Sequence, residues 1–331
     1  MNMPIKNVAV VGTGTLGAQI AVQAACRGYS VQAFDLDRAV FERNLDKLLD
    51  LAKRAGRSTA VDLAQWPEGA KRIAFQSSLP AALSQAQLVI EAVPENLDLK
   101  LKVWAEMDKH APAGALLATN SSSMPVSKLE GKVADPSRCL NIHFYQMVLG
   151  QNMADVMGGS RAKPEHLETA RRWVASLGCV PLRVNKELLG FCFNRVWRAV
   201  KRETLYMWAG GFVDFRDVDR GWMTFTGVGW GPFGLMDAVG LDVIRDIEMV
   251  YYNESKDPKD KPPQALEDKI ARFLEENPTC RKMLDEAIAA NPAMKKDRTA
   301  QMYFVYTRCG LANKWVGRYP VGRLMAEGSR Q

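Results

Sequence analysis

The segment VAVVGTGTLGAQIA, Val8 to Ala21, decides the fold class. Gly12, Gly14 and Gly17 leave an apolar run, Asn7 to Val11, and lead into helical apolar spacing from Leu16 to Arg27 that closes at Gly28. In a strand–turn–helix unit the first glycine permits the tight turn. The second lets backbone N–H groups approach a pyrophosphate, and the third lets the helix pack close to the strand. The positive end of the helix dipole then faces the phosphates, so Thr15 and Leu16 belong with the three glycines as expected cofactor contacts. The next apolar run, Ser30 to Asp35, ends on an acid at the distance where such units place a ribose-binding carboxylate. A carboxylate at Asp35 accepts from a ribose 2′-hydroxyl and repels a 2′-phosphate, which predicts NAD rather than NADP as the cofactor.

Outward from this unit, Leu88–Ala92, Ala115–Thr119 and Cys139–His143 read as further buried strands, and Asp37–Ala55 as a long charged helix. Alternating strands and helices predict a parallel sheet covered on both faces. The pattern changes at Lys186–Leu189. Leu188–Ala209 reads as one long helix, followed by helical stretches broken by Gly- and Pro-bearing turns at 227–234 and 258–263. The expected architecture is α/β: a doubly wound Rossmann sheet over residues 1–187 that binds NAD, then a mainly α-helical domain over 188–331 for substrate and dimerisation.

Composition narrows the classes. The chain has 331 residues with 47% hydrophobic and 24% charged side chains, enough for two well-packed cores. The formal charge of +7 is diffuse, thickening only from Lys295 through Arg323 and Arg330. No basic run interleaved with aromatics appears, so a nucleic-acid partner is not expected. The charge suits an anionic cofactor and a small acidic substrate. Six cysteines occur without a CxxC pair, which predicts no metal site and reduced thiols in the cytoplasm. Nothing before the first strand is long enough for a signal peptide. The most apolar stretch, Leu188 to Val200, is interrupted by Asn194, Arg195 and Arg198, so no membrane association is expected.

His143 ends a predicted strand, in CLNIHFY. Ligands of open parallel sheets gather at the carboxyl ends of strands, which favours a catalytic reading over a satisfied core histidine. His110 and His166 fall in helical stretches expected to be exposed. Together, VVGTGTLGAQIA, VIEAVPENLDLK, ATNSSS, IHFY, GFCFNRV and GPFGLMDAVGLD resemble, in order and approximate spacing, the L-3-hydroxyacyl-CoA dehydrogenase family, which includes L-gulonate 3-dehydrogenase/lambda-crystallin and L-carnitine dehydrogenase. The resemblance covers about three quarters of the chain, from Val10 to Asp242. It implies that His143 is the general base for the hydroxyl proton and that Ser122 and Asn194 hydrogen-bond the substrate oxygens. It further implies that Glu95, followed by Lys100, lines the site near the nicotinamide, and that Asn120 belongs to the cofactor contacts. It also implies a homodimer. The residues themselves admit blander readings: a serine turn or cap at Ser122, a buried polar residue at Asn194, a helix cap at Glu95.

The chain departs from the family in several places. The usual HFFNP reads His143-Phe144-Tyr145-Gln146-Met147 here, and the family's glutamate twelve residues past the histidine is Asp155. Aspartate keeps the charge but loses a methylene, so holding the imidazole requires close backbone approach or a bridging water. The alternative is a strand-end aspartate with the imidazole oriented otherwise. Asn277–Gln331 carries extra helical sequence and a basic tail. Trp197, Trp208, Trp222, Phe225, Trp230 and Phe233 read mostly as core, while the Gly-rich Trp222–Trp230 connection also reads as a wall favouring a compact or ring-bearing substrate. The expected activity is oxidation of a 3-hydroxyacyl-CoA or small 3-hydroxy acid. Two competitors are a β-hydroxyacid dehydrogenase with a lysine catalyst such as Lys186, and an inactive NAD-binding structural protein.

Overall fold

In the computed structural model, the described residues are 5–55, 65–145, 153–229, 231–239 and 278–295, with scattered positions between 248 and 275. Gln146, Met147, Trp230 and the basic tail from 296 onward lie outside them. The chain divides into two compact units, Met1–Arg195 and Val196–Gln331.

The first unit carries an eight-stranded sheet. Its strands are β1 (Asn7–Val11), β2 (Ser30–Phe34), β3 (Ile73–Phe75), β4 (Leu88–Glu91), β5 (Leu116–Thr119), β6 (Cys139–Phe144), β7 (Met153–Gly158) and β8 (Val180–Val184), in spatial order β3-β2-β1-β4-β5-β6-β7-β8. Helices α1 (Thr15–Cys26), α2 (Arg38–Ala55), α3 (Trp66–Ala70), α4 (Leu79–Leu83), α5 (Leu97–His110) and α6 (Pro164–Ser176) connect them. Along β1, Val8 and Val10 pack with Ile20, Ala21, Trp173 and Val174 of α1 and α6. The intervening Ala9 and Val11 pack with Leu83, Trp104 and Met107 of α4 and α5. Both faces are therefore dry, as a doubly wound sheet requires.

The expected parallel sheet needs one correction: β7 runs antiparallel to β6. Only residues 145–152 join the two strands, and a parallel return needs a crossover of about a dozen residues or more. Strand β8 again runs parallel to β7, through the α6 crossover. Strands β3, β7 and β8 have no counterpart in the sequence reading: β3 has only three residues, and Asp155 in β7 and Pro181 and Arg183 in β8 interrupt the apolar runs.

The second unit is helical where described: the body of α7 (Phe193–Ala209), then α8 (Phe215–Thr226), α9 (Pro232–Val239) and α10 (Pro278–Ala290). The helix expected to start at Leu188 begins at Phe193 instead. Gly190 and Phe191 both have positive φ, 81° and 51°, which no helix accommodates. Asp219 of α8 starts α9 by accepting the backbone N–H groups of Phe233 and Gly234 at 2.7 and 2.9 Å. Of the aromatics read as core, Phe233 is buried, Trp197, Trp208 and Trp222 are half-buried, and Phe225 is almost fully exposed. Among the described residues no helix is long and apolar enough to cross a membrane, and no group of three potential metal ligands occurs.

Candidate active site

Gly12 has a φ of +92°, and a Cβ there would stand 2.7 Å from the Ala92 carbonyl carbon. A Cβ on Gly17 would stand 2.0 Å from the Gly12 carbonyl oxygen. These positions admit only glycine, for the turn and for helix–strand contact respectively. Gly14 differs: nothing lies within 4 Å of where its Cβ would be. As the residue before α1 it offers no side-chain cap, and α1 has no acid in its first turn. The open space and uncapped helix start fit a pyrophosphate.

Asp35 follows β2 on the same edge. Its Oδ2 accepts the backbone N–H of Thr13 at 2.6 Å and the Thr13 hydroxyl at 3.0 Å, which ties it to the glycine loop. Its Oδ1 accepts the Leu36 N–H at 2.7 Å. A second lone pair on Oδ1 is left to receive a ribose hydroxyl. Replacing Asp35 with asparagine is expected to weaken NAD binding by roughly tenfold and to narrow the preference over NADP, because the repulsive charge goes with the acceptor. Titrating both nucleotides by fluorescence checks this, and an unchanged NAD-to-NADP ratio of Kd values would contradict it.

At the end of β4 the sequence hides a residue the motif reading missed. Glu91 is fully buried and accepts from Lys100 Nζ at 2.7 Å, Thr119 Oγ1 at 2.8 Å, the Val93 N–H at 2.8 Å and Trp104 Nε1 at 3.3 Å. Its signal was an acid inside an apolar run, LVIEA, which demands a partner if the strand is buried. Lys100, expected beside Glu95 at the cofactor, is itself 1% exposed. Its ammonium reaches Glu91, the Val93 carbonyl at 3.1 Å and Glu95 Oε2 at 3.2 Å. Three acceptors use its three N–H donors, so its visible work is to hold Glu95. That carboxylate also accepts from the Ser121 hydroxyl, from Ser123 Oγ at 2.6 Å and from the Ser123 N–H at 3.2 Å. Burial pushes the Glu95 carboxyl up, but Lys100 and the serine hydroxyls outweigh it and hold the group below its ordinary value. Ser122 stands exposed between these serines, with no hydrogen bond to His143 or Asn194 among the described residues.

The β6 strand delivers His143 to the same edge. His143 is 4% exposed, and β6–β7 register sets it directly opposite Asp155, which is fully buried. Opposed residues in an antiparallel pair have Cβ atoms about 5 Å apart. An aspartate therefore spans the gap directly, with Oδ2 3.2 Å from His143 Nδ1. Asp155 Oδ2 also accepts the Tyr145 hydroxyl at 2.5 Å, and Oδ1 accepts the Cys192 N–H at 3.3 Å. The His143 ring packs 4.6 Å from the Tyr145 ring and 5.0 Å from that of Phe191. Asn120 ties β5 to this strand by accepting the Phe144 N–H at 2.8 Å. Asn194 lies half-buried in the first turn of α7. His110 and His166, expected to be exposed, are half-buried: one faces Glu106 at 3.3 Å, the other the Ser137 carbonyl at 2.8 Å. Lys186 is exposed just past β8.

A dinucleotide cradle and a buried imidazole on one edge of a doubly wound sheet define the class: an oxidoreductase that uses NAD. The 3-hydroxyacyl-CoA dehydrogenase NAD binding domain matches residues 7–188, and the C-terminal domain of the same enzymes matches 190–283. The chain belongs to the 3-hydroxyacyl-CoA dehydrogenase family. It is 30% identical over 268 residues to 5-formyl-3-hydroxy-2-methylpyridine 4-carboxylate 5-dehydrogenase of Mesorhizobium japonicum, covering 80% of this chain and 85% of that one. It is 32% identical over 242 residues to L-carnitine dehydrogenase of Streptomyces griseus, covering 70% and 68%. A diketoreductase structure described as acting on dicarbonyl compounds superposes with a TM-score of 0.73 at 31% identity, covering 83% of this chain and 94% of that one.

Proposed function

We propose that this protein oxidises the secondary alcohol of a 3-hydroxyacyl-CoA or a small 3-hydroxy acid to the 3-oxo compound, and catalyses the reverse. The observation that carries this reading is the His143–Asp155 pair, buried across β6 and β7 on the strand end that also bears the glycine cradle. Asp155 accepts from Nδ1–H and so fixes the tautomer in which Nε2 carries a lone pair. Nε2 takes the hydroxyl proton as the carbinol carbon is oxidised, and in reverse the imidazolium returns it. Bound NAD supplies the hydride acceptor. Gly12, Gly14, Thr15, Leu16 and Gly17 hold the pyrophosphate, Asp35 the ribose, and Glu95 and Asn120 line the nicotinamide end. Ser122 and Asn194 donate to the substrate oxygens, where they steady developing alkoxide charge. In this division residues 1–187 bind the cofactor, and residues 188–331 form the helical domain for substrate and dimerisation.

A second reading has a specific support, the match to the pyridine-carboxylate dehydrogenase over 80% of this chain. That relative's name places its reaction at a formyl group. A hydrated aldehyde presents a hydroxyl on the carbon to be oxidised, so the same base and acceptor would serve.

The deciding experiment follows NADH formation by absorbance with acyl-CoA 3-hydroxy thioesters, free 3-hydroxy acids and carboxylated aromatic aldehydes. His143→Asn accompanies each active substrate. Turnover on a 3-hydroxy compound, lowered about a hundredfold or more by the substitution, is the expected result. Full activity in His143→Asn would refute the role of the imidazole and return attention to Lys186.

A further inference from the structure

We infer that Tyr145 is a positioning residue of the catalytic pair: by sharing the Asp155 carboxylate with His143, its phenol holds the acid in place and competes with the imidazole for the charge on that oxygen. This rests on the reading of His143 as the base. The geometry is specific. One carboxylate oxygen, Asp155 Oδ2, lies 2.5 Å from the Tyr145 hydroxyl and 3.2 Å from His143 Nδ1. Phenol is the nearer donor and engages the very oxygen that faces the imidazole. The ring wedges edge-on between His143 and Phe193, at 4.6 and 5.6 Å.

Two departures from the family pattern thus meet in space. A shorter acid stands where the family has glutamate, and a hydroxylated ring stands where it has phenylalanine. An aspartate directly opposite the histidine has little length with which to adjust, so a second donor sets its orientation. Donation to Oδ2 also draws charge from the atom that would stabilise imidazolium. Burial first, and then the Asp155 charge and hydrogen bond, push the phenol far above its ordinary value. Tyr145 therefore keeps its proton through the cycle, and the substrate proton resides on Nε2 alone.

The surrounding elements leave Asp155 as the anion in contact with the imidazole among the described residues. Just past β5 stands the neutral Asn120 amide, whose oxygen accepts the Phe144 N–H. The turn before α7 presents Phe191 and Cys192, and in α7 the Arg195 guanidinium turns to the Leu189 carbonyl at 3.5 Å. Glu91, Glu95 and Lys100 close on one another at the end of β4.

Tyr145→Phe in the full chain tests this through two readouts. One is the pH profile of kcat/KM for alcohol oxidation. The other is the titration of the His143 ring by heteronuclear NMR in the protein without substrate. With the carboxylate returned to the imidazole alone, the acid limb and the ring titration should both move to higher pH by roughly half a unit to one unit. The plateau kcat at high pH should fall by roughly three- to tenfold, because the acid loses the donor that sets its orientation. A titration that stays in place or moves down overturns the proposal, as does loss of activity at every pH, which would make the phenol itself the proton carrier. His143→Asn runs alongside. If it stays active, the base assignment fails, while the NMR titration of Tyr145→Phe still judges the phenol on its own.

Discussion

Asp155→Asn is expected to lower kcat by about two to four orders of magnitude with little change in KM. The carboxylate is fully buried and accepts three donors: Nδ1–H of His143, the Tyr145 hydroxyl and the Cys192 N–H. An asparagine carries one acceptor oxygen and one donor amide. With the amide nitrogen in the place of Oδ2, its N–H meets Nδ1 and selects the tautomer whose Nε2 already bears a proton, which cannot take another from the substrate. With the oxygen in that place, the amide N–H instead meets the Cys192 N–H, donor against donor, and the charge that stabilised imidazolium is gone in either case. Steady-state kinetics separate this from a binding defect, since a group acting only in the transition state moves kcat and kcat/KM together. Asp155→Glu, which keeps the charge, should retain most of the activity. Near-full turnover by the asparagine variant would end the role assigned to this pair.

Lys100→Met is expected to cost about 3 kcal/mol of stability, the low end for breaking one side of a buried ion pair. Glu91 would keep the Val93 N–H, the Thr119 hydroxyl and the Trp104 indole N–H as donors, but its charge would be uncompensated in a site with no solvent. For a unit of this size the melting temperature should fall by roughly 6–12 °C in differential scanning calorimetry. Adding Glu91→Gln removes the stranded charge while preserving an acceptor, and should recover more than half of the loss. If the double variant were no more stable than the single one, the methylene packing of Lys100 rather than its charge would be the source. Glu95 loses its cationic partner in both variants, so a weaker affinity for NAD is expected in both, read by the same nucleotide titration used for Asp35.

Much of the cofactor half was legible because its signals are local. The turn after β1 demands glycine for steric reasons that act within six residues, and the acid at Asp35 follows from the length of one helix. The strand end pointed to His143, and its role as base came from the resemblance of six segments between Val10 and Asp242. What escaped were residues whose meaning depends on a partner far along the chain. Glu91 looked like an interruption in a strand until Lys100, Thr119 and Trp104 closed around it. Tyr145 looked like a substituted phenylalanine. Lys100 read as a cofactor contact because it follows Glu95 in sequence, whereas helix α5 turns its ammonium inward.

The amino-acid order by itself determined the strand–turn–helix cradle, the alternation that makes the sheet doubly wound, and the change to helical sequence beyond Lys186, since each follows from periodicity or backbone sterics within one or two neighbouring elements. Tertiary structure alone decided the antiparallel turn of β7 and the register that sets Asp155 opposite His143. Register is a relation between two strands: a slip of one residue would turn every side chain to the other face of the sheet, and only packing on both faces fixes it.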